Sequence, residues 1–91
     1  MHYILFYKTA DNYMERRGAF WQAYLGLAKT GLKKGEIIMG GALSDPPDQA
    51  IIIFEGNGPE VAENFAKNDT YVLNGVVTEW KVRPWKVAIG R

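Results

Sequence analysis

No cysteine occurs in the 91 residues, which removes disulfide staples, thiolate metal sites and a cysteine nucleophile together and suits a reducing cytosol. One histidine, His2, excludes a multi-histidine metal centre, and no metal is expected. An excess of one charge is also missing. Eleven Lys and Arg against ten Asp and Glu leave a formal net charge of +1, and the two signs are interspersed. No concentrated basic field is available to hold phosphate backbones, so nucleic acid is not an expected partner. No stretch approaches the roughly 20 apolar residues that cross a bilayer, and "MHYILFYKT" has neither a basic leader nor a small-residue cleavage site. The expectation is a soluble, cytoplasmic protein that does not engage membranes. Linkers, repeats and low-complexity segments are absent too, which leaves one domain over residues 1–91.

What is present follows two periods. His2 to Lys8 is a β-rich run of aromatic and aliphatic residues. From about Asp11 the spacing changes to three and four (Tyr13, Arg17, Phe20, Tyr24, Leu27), predicting one long helix that stops at the glycines and lysines of "KTGLKKG". "EIIMGGAL" reads as a second strand, with Gly40 and Gly41 permitting a bulge or a close backbone approach. "SDPPDQ" breaks the chain, and "AIIIFEG" is a third strand apolar on both faces. Pro59 opens a second helix, "PEVAENFAKN", with Glu60 in its first turn. "GVVTEWKVRPWKV" then alternates Val76, Thr78, Trp80 and Val82 against Val77, Glu79, Lys81 and Arg83.

The order βαββαβ is that of an α+β, ferredoxin-like fold, a four-stranded antiparallel sheet with two helices on one face. The open face needs a cover, and a second copy of the sheet supplies one, so the expected partner is the protein itself in a dimeric α/β barrel. The same topology places Asp69, in "AKNDTYVLNGVV", on one rim with Arg16, Arg17 and the Gly40 to Ser44 segment, and puts His2 at the opposite end. By composition "KND" is turn material, since Asp bonds its own following backbone readily. The sharper possibility is a partly buried carboxylate flanked by Tyr71, Tyr24 and Trp21.

Several segments together resemble the YciI-like, or YCII-related, domain proteins: "ERR" before a helix with "AYL", then "GEIIMGGAL", "AIIIFEG" and "AENFAKNDTYVLNGVVTEWKVRPWK". The C-terminal stretch is the most specific, a helix ending F-x-x-x-D-x-Y followed by G-V-V and a strand closing V-R-P-W. The resemblance implies the dimeric barrel and a site in which a helical histidine pairs with the aspartate of an Asp-Pro-Tyr segment. Asp69 and Tyr71 are retained here, Thr70 stands in place of Pro, and the histidine position is filled by Tyr24, or by Trp21 if the helix register differs. An unperturbed tyrosine titrates near 10 and is a weak base, so a histidine–aspartate mechanism does not carry over intact.

The same resemblance implies a cofactor-free lyase of dehydrochlorinase type, or an isomerase, as the expected activity, acting on a small aromatic or anionic molecule. Asp69 would be the acid/base and Tyr24 a donor to developing oxyanion charge. Arg17, Trp21, Gly41, Tyr71 and Trp85 would bind the substrate, the tryptophans by stacking. The alternative is a non-catalytic small-molecule binding or regulatory domain that has lost catalysis along with its histidine. A cofactor-free monooxygenase on the same barrel is disfavoured by the D-x-Y and V-R-P-W ending.

Overall fold

Strand β1 (His2–Thr9) buries Tyr3, Leu5, Tyr7 and Thr9 on one face and leaves His2, Ile4 and Phe6 half-buried on the other. That period of two is the pleat itself. The computed structural model, which describes residues 1–90, places β1 at the centre of an antiparallel sheet ordered β2-β3-β1-β4. The neighbours are β2 (Ile37–Ala42), β3 (Gln49–Glu55) and β4 (Val77–Trp85). This is the expected ferredoxin-like arrangement, with β1 between β3 and β4.

The helices pack on the face that carries Tyr3, Leu5, Tyr7, Ile52 and Phe54. Helix α2 (Trp21–Lys33) lies against β2 so closely that a Cβ on Gly31 would stand 2.5 Å from Ile37 Cδ1. Helix α3 (Glu60–Asn68) contributes Ala62, Phe65 and Ala66 to the core at the spacing of three and four. The opposite sheet face presents Ile4, Phe6, Ile51 and Ile53, all half-buried, so β3 is enclosed on one side only within a single chain. Among the described residues no helix is long and apolar enough to cross a membrane.

Three local features go beyond what the two periods specify. The long first helix is instead a single turn α1 (Tyr13–Arg16), a 3-10 turn (Arg17–Ala19) that contains Gly18, a residue of weak helical preference, and then α2. "TYVL", whose β-branched and aromatic residues look strand-like, forms one helical turn, α4 (Thr70–Leu73), capped by the Asp69 side chain. In β4 the alternation slips. Thr9 pairs with Val77 while Lys8 pairs with Glu79, so a bulge turns Val77 rather than Thr78 toward the core. Trp80, opposite Tyr7, is half-buried against that core.

Candidate active site

A cavity of about 300 Å³ opens between α2 and the sheet. Its floor is Tyr7, Thr9, Ala50, Ile52 and Val77 from three strands, one side is Gly40 and Gly41 of β2, and its cover is Tyr13, Arg17, Trp21, Tyr24 and Tyr71. Each group arrives by a local rule. Tyr7 and Thr9 are the last inward positions of β1, while Trp21, Tyr24 and Ala28 form one face of α2 at helical spacing. Adjacent Arg16 and Arg17 diverge, as neighbours on a helical turn must. Arg16 turns out to donate to the carbonyls of Asn74 and Gly75, fixing the α4–β4 turn, where Gly75 adopts φ 71°. Arg17 turns to the cavity, its guanidinium carbon 5.9 Å from the Tyr13 ring centre.

Asp69 lies behind this wall and is fully buried. Its backbone ends α3 and opens α4, and its two carboxylate oxygens divide their work. Oδ1 accepts from the Tyr71 N–H at 3.0 Å, which caps α4, and Oδ2 accepts from the Tyr7 hydroxyl at 2.7 Å. Turn residue and buried carboxylate are the same group. Loss of hydration raises the Asp69 pKa above the usual carboxylate value, and the bonds from Tyr7 and Tyr71 pull it partly back.

The rings around it form a packed aromatic cluster. Tyr24 stacks on Tyr71 with centres 4.7 Å apart and planes 9° from parallel, and Trp21 stacks on Tyr24 at 5.8 Å. Tyr13 meets Tyr71 edge-on at 6.3 Å. Burial and the nearby Asp69 charge push Tyr24 up to about 12, so its phenol stays protonated at neutral pH. Burial also raises Tyr71 to about 12, with Tyr13, Tyr24 and Asp69 adding to the effect. The Tyr71 hydroxyl is buried without a hydrogen-bond partner among the described residues.

The structure thus brings Arg17, Trp21, Tyr24, Gly41 and Tyr71 to one cavity, with Asp69 directly behind it. Trp85 is not with them. Strand β4 runs antiparallel to β1, so its last residue pairs with His2 at the far end of the sheet, where the two rings meet edge-on at 6.4 Å. There His2 Nδ1 lies 3.0 Å from Glu55 Oε2, well away from Asp69, as the topology predicts. Sequence reasoning missed Tyr7. The signal was available as a tyrosine on the inward face of β1, which must find a partner for its hydroxyl once buried. Among the described residues, no three His, Cys, Asp or Glu side chains gather as metal ligands would.

Comparison with known proteins adds a frame. Residues 1–86 match the YCII-related domain family. No curated protein matches the sequence. Among solved structures, the chain is similar to 5-chloro-2-hydroxyhydroquinone dehydrochlorinase (TftG) from Burkholderia phenoliruptrix AC1100, solved with 2,5-dihydroxybenzoquinone. The TM-score is 0.78 at 19% identity, over 94% of each chain. A protein from Agrobacterium tumefaciens aligns with TM-score 0.63 at 13% identity, over 97% of this chain and 94% of that one. A NIPSNAP family protein from the same organism aligns with TM-score 0.55 at 12% identity, over 90% and 87%. At these identities the structural likenesses establish the fold.

Proposed function

Because this chain belongs to the YCII-related domain family, we propose that it is a cofactor-free enzyme that moves a proton on a small ring-sized molecule, as a lyase or isomerase does, with Asp69 as the acid/base group. One observation carries the reading: a fully buried carboxylate stands directly behind an aromatic cavity. A carboxylate deprived of water takes up a proton more readily than one in solvent, which suits it to accept a proton from a weakly acidic C–H or O–H. The fold shared with a dehydrochlorinase supports elimination as the reaction class. Loss of H and Cl needs a proton acceptor and a donor for the charge left on oxygen.

In this scheme Tyr24, protonated at neutral pH, donates to the developing oxyanion. Arg17 balances negative charge at the cavity mouth, Trp21 and Tyr71 stack on the ring, and Gly41 admits a substituent against bare backbone. The test is chloride release from 5-chloro-2-hydroxyhydroquinone and conversion of related ring acids. Asp69→Asn should lower turnover about 100-fold or more, in the range of general acid–base effects, with a melting temperature near that of the unaltered protein. Equal turnover would remove Asp69 from the reaction.

A second reading has its own observation. By the family resemblance Tyr24, or Trp21 in another helix register, stands where a histidine would, and the Tyr24 phenol, pushed up to about 12, stays protonated and is a poor base at neutral pH. On that reading the cavity binds a small molecule without converting it, and Asp69→Asn weakens binding of compounds that the unaltered protein leaves intact.

We further take the protein to be cytoplasmic and its partner to be a second copy. Support for the pairing comes from the sheet face carrying Ile4, Phe6, Ile51, Ile53 and the exposed Met39. Sedimentation showing a stable monomer at micromolar concentration would overturn the dimer.

A further inference from the structure

Asp69 has no exposed surface, and it is not among the side chains that line the cavity. Its Oδ1 is committed to the Tyr71 N–H and its Oδ2 to the Tyr7 hydroxyl. A ligand in the cavity therefore meets other groups first. Resting on the acid/base reading above, we propose that Tyr7 is the residue that exchanges the proton with the ligand, and that Asp69 acts only through it.

Three observations converge on Tyr7. It lines the cavity on one side and reaches Asp69 at 2.7 Å on the other. It sits on an inner strand, paired with Ala50 of β3 and Trp80 of β4, so its backbone is fixed by a strand on either side. The competing rings lack the connection: among the described residues the Tyr71 hydroxyl has no hydrogen-bond partner, and Tyr24 stacks on Trp21 and Tyr71 without a bond to the carboxylate.

The step balances without a co-reactant. The ligand's C–H or O–H bond breaks and its proton joins Tyr7 Oη, while the proton already on Oη passes to Asp69 Oδ2. The electron pair stays on the ligand as an enolate or expels its leaving group. Tyr7 ends as a neutral phenol and Asp69 as a neutral acid, and no tyrosinate forms. This order suits the site, since burial strongly opposes ionisation of Tyr7 and favours a protonated Asp69. Reversal delivers the proton to another atom in an isomerisation. After an elimination, Asp69 returns its proton through Tyr7 to water once the product leaves.

The probe is 2,5-dihydroxybenzoquinone in D2O, its ring-hydrogen exchange followed by proton NMR and its affinity measured separately for each variant. The unaltered protein should accelerate exchange. Tyr7→Phe and Asp69→Asn should each slow it about 100-fold or more at unchanged affinity, and the double variant should be no slower than either alone. Glu55→Gln, at the far end of the sheet beside His2, should leave the exchange rate unchanged. Near-normal exchange by Tyr7→Phe beside a dead Asp69→Asn overturns the relay and leaves the acid/base reading standing. Exchange at the buffer rate with the unaltered protein overturns both. Should Tyr7→Phe fail to fold, 3-fluorotyrosine at position 7 replaces it: a rate that changes with phenol acidity supports the relay, and an unchanged rate overturns it.

Discussion

The two ends of strand β1 each set an acid beside a ring. At one end His2 and Glu55 stand 3.0 Å apart, with side chains 19% and 45% exposed and Trp85 edge-on to the imidazole. At the other, Tyr7 and Asp69 are 2.7 Å apart, and Asp69 has no exposed surface at all. By residue type the first pair looks the more reactive, because histidine is the side chain that titrates near neutrality. Burial reverses the order. Water screens the His2 end and bonds its polar atoms whether or not they meet. At the Tyr7 end every polar atom depends on the protein, so a change of one proton or one hydroxyl is felt throughout.

The sharpest way to break the contrast is to remove the buried acid. Asp69→Ala strands the Tyr7 hydroxyl and the Tyr71 N–H and deletes the α4 cap, and urea denaturation should show a loss of about 2–4 kcal/mol. Tyr7→Phe removes only one donor and keeps the ring, so the expected loss is about 1–2 kcal/mol by the same measurement. A third test uses pH. The folded protein holds the Asp69 proton more tightly than the unfolded chain, whose ordinary value is 3.8. This contribution to stability is fully present below 3.8 and is lost as pH rises through the raised folded value. Measured against Asp69→Asn, the unaltered protein should therefore lose stability from acidic pH toward neutrality; a parallel pair of curves would contradict the raised pKa. The smallest effect belongs to the exposed end, where Glu55→Gln should leave both the melting temperature and turnover within measurement error.

The difference between the ends also explains what the sequence could reveal. Alternation in "HYILFYKT" and the helical spacing of Trp21, Tyr24, Leu25 and Ala28 express burial directly, so strands, helix α2 and sheet order are legible. The placement of Arg17, Trp21, Tyr24, Gly41 and Tyr71 around one cavity follows from that order, as does the remoteness of His2. Features decided by tertiary contact are not legible. "TYVL" has strand-forming residues and turns helical because Asp69 caps it, and Thr78 yields its inward place to Val77 through a bulge. Trp85 reads as one more ring for stacking, yet the antiparallel run of β4 carries it to the His2 end. The Tyr7–Asp69 bond joins residues 62 apart in sequence, and no local pattern specifies such a pair.

The chain's three tryptophans report on both ends of the sheet in a single experiment. Trp21 lines the cavity, Trp85 lies beside His2, and Trp80 sits opposite Tyr7. In a titration of the protein with 2,5-dihydroxybenzoquinone, followed through the indole N–H signals by nitrogen-15 NMR, the Trp21 signal should move saturably while Trp85 stays still. A saturable shift at Trp85 with Trp21 unmoved would place the functional end of the sheet at His2 and contradict the account.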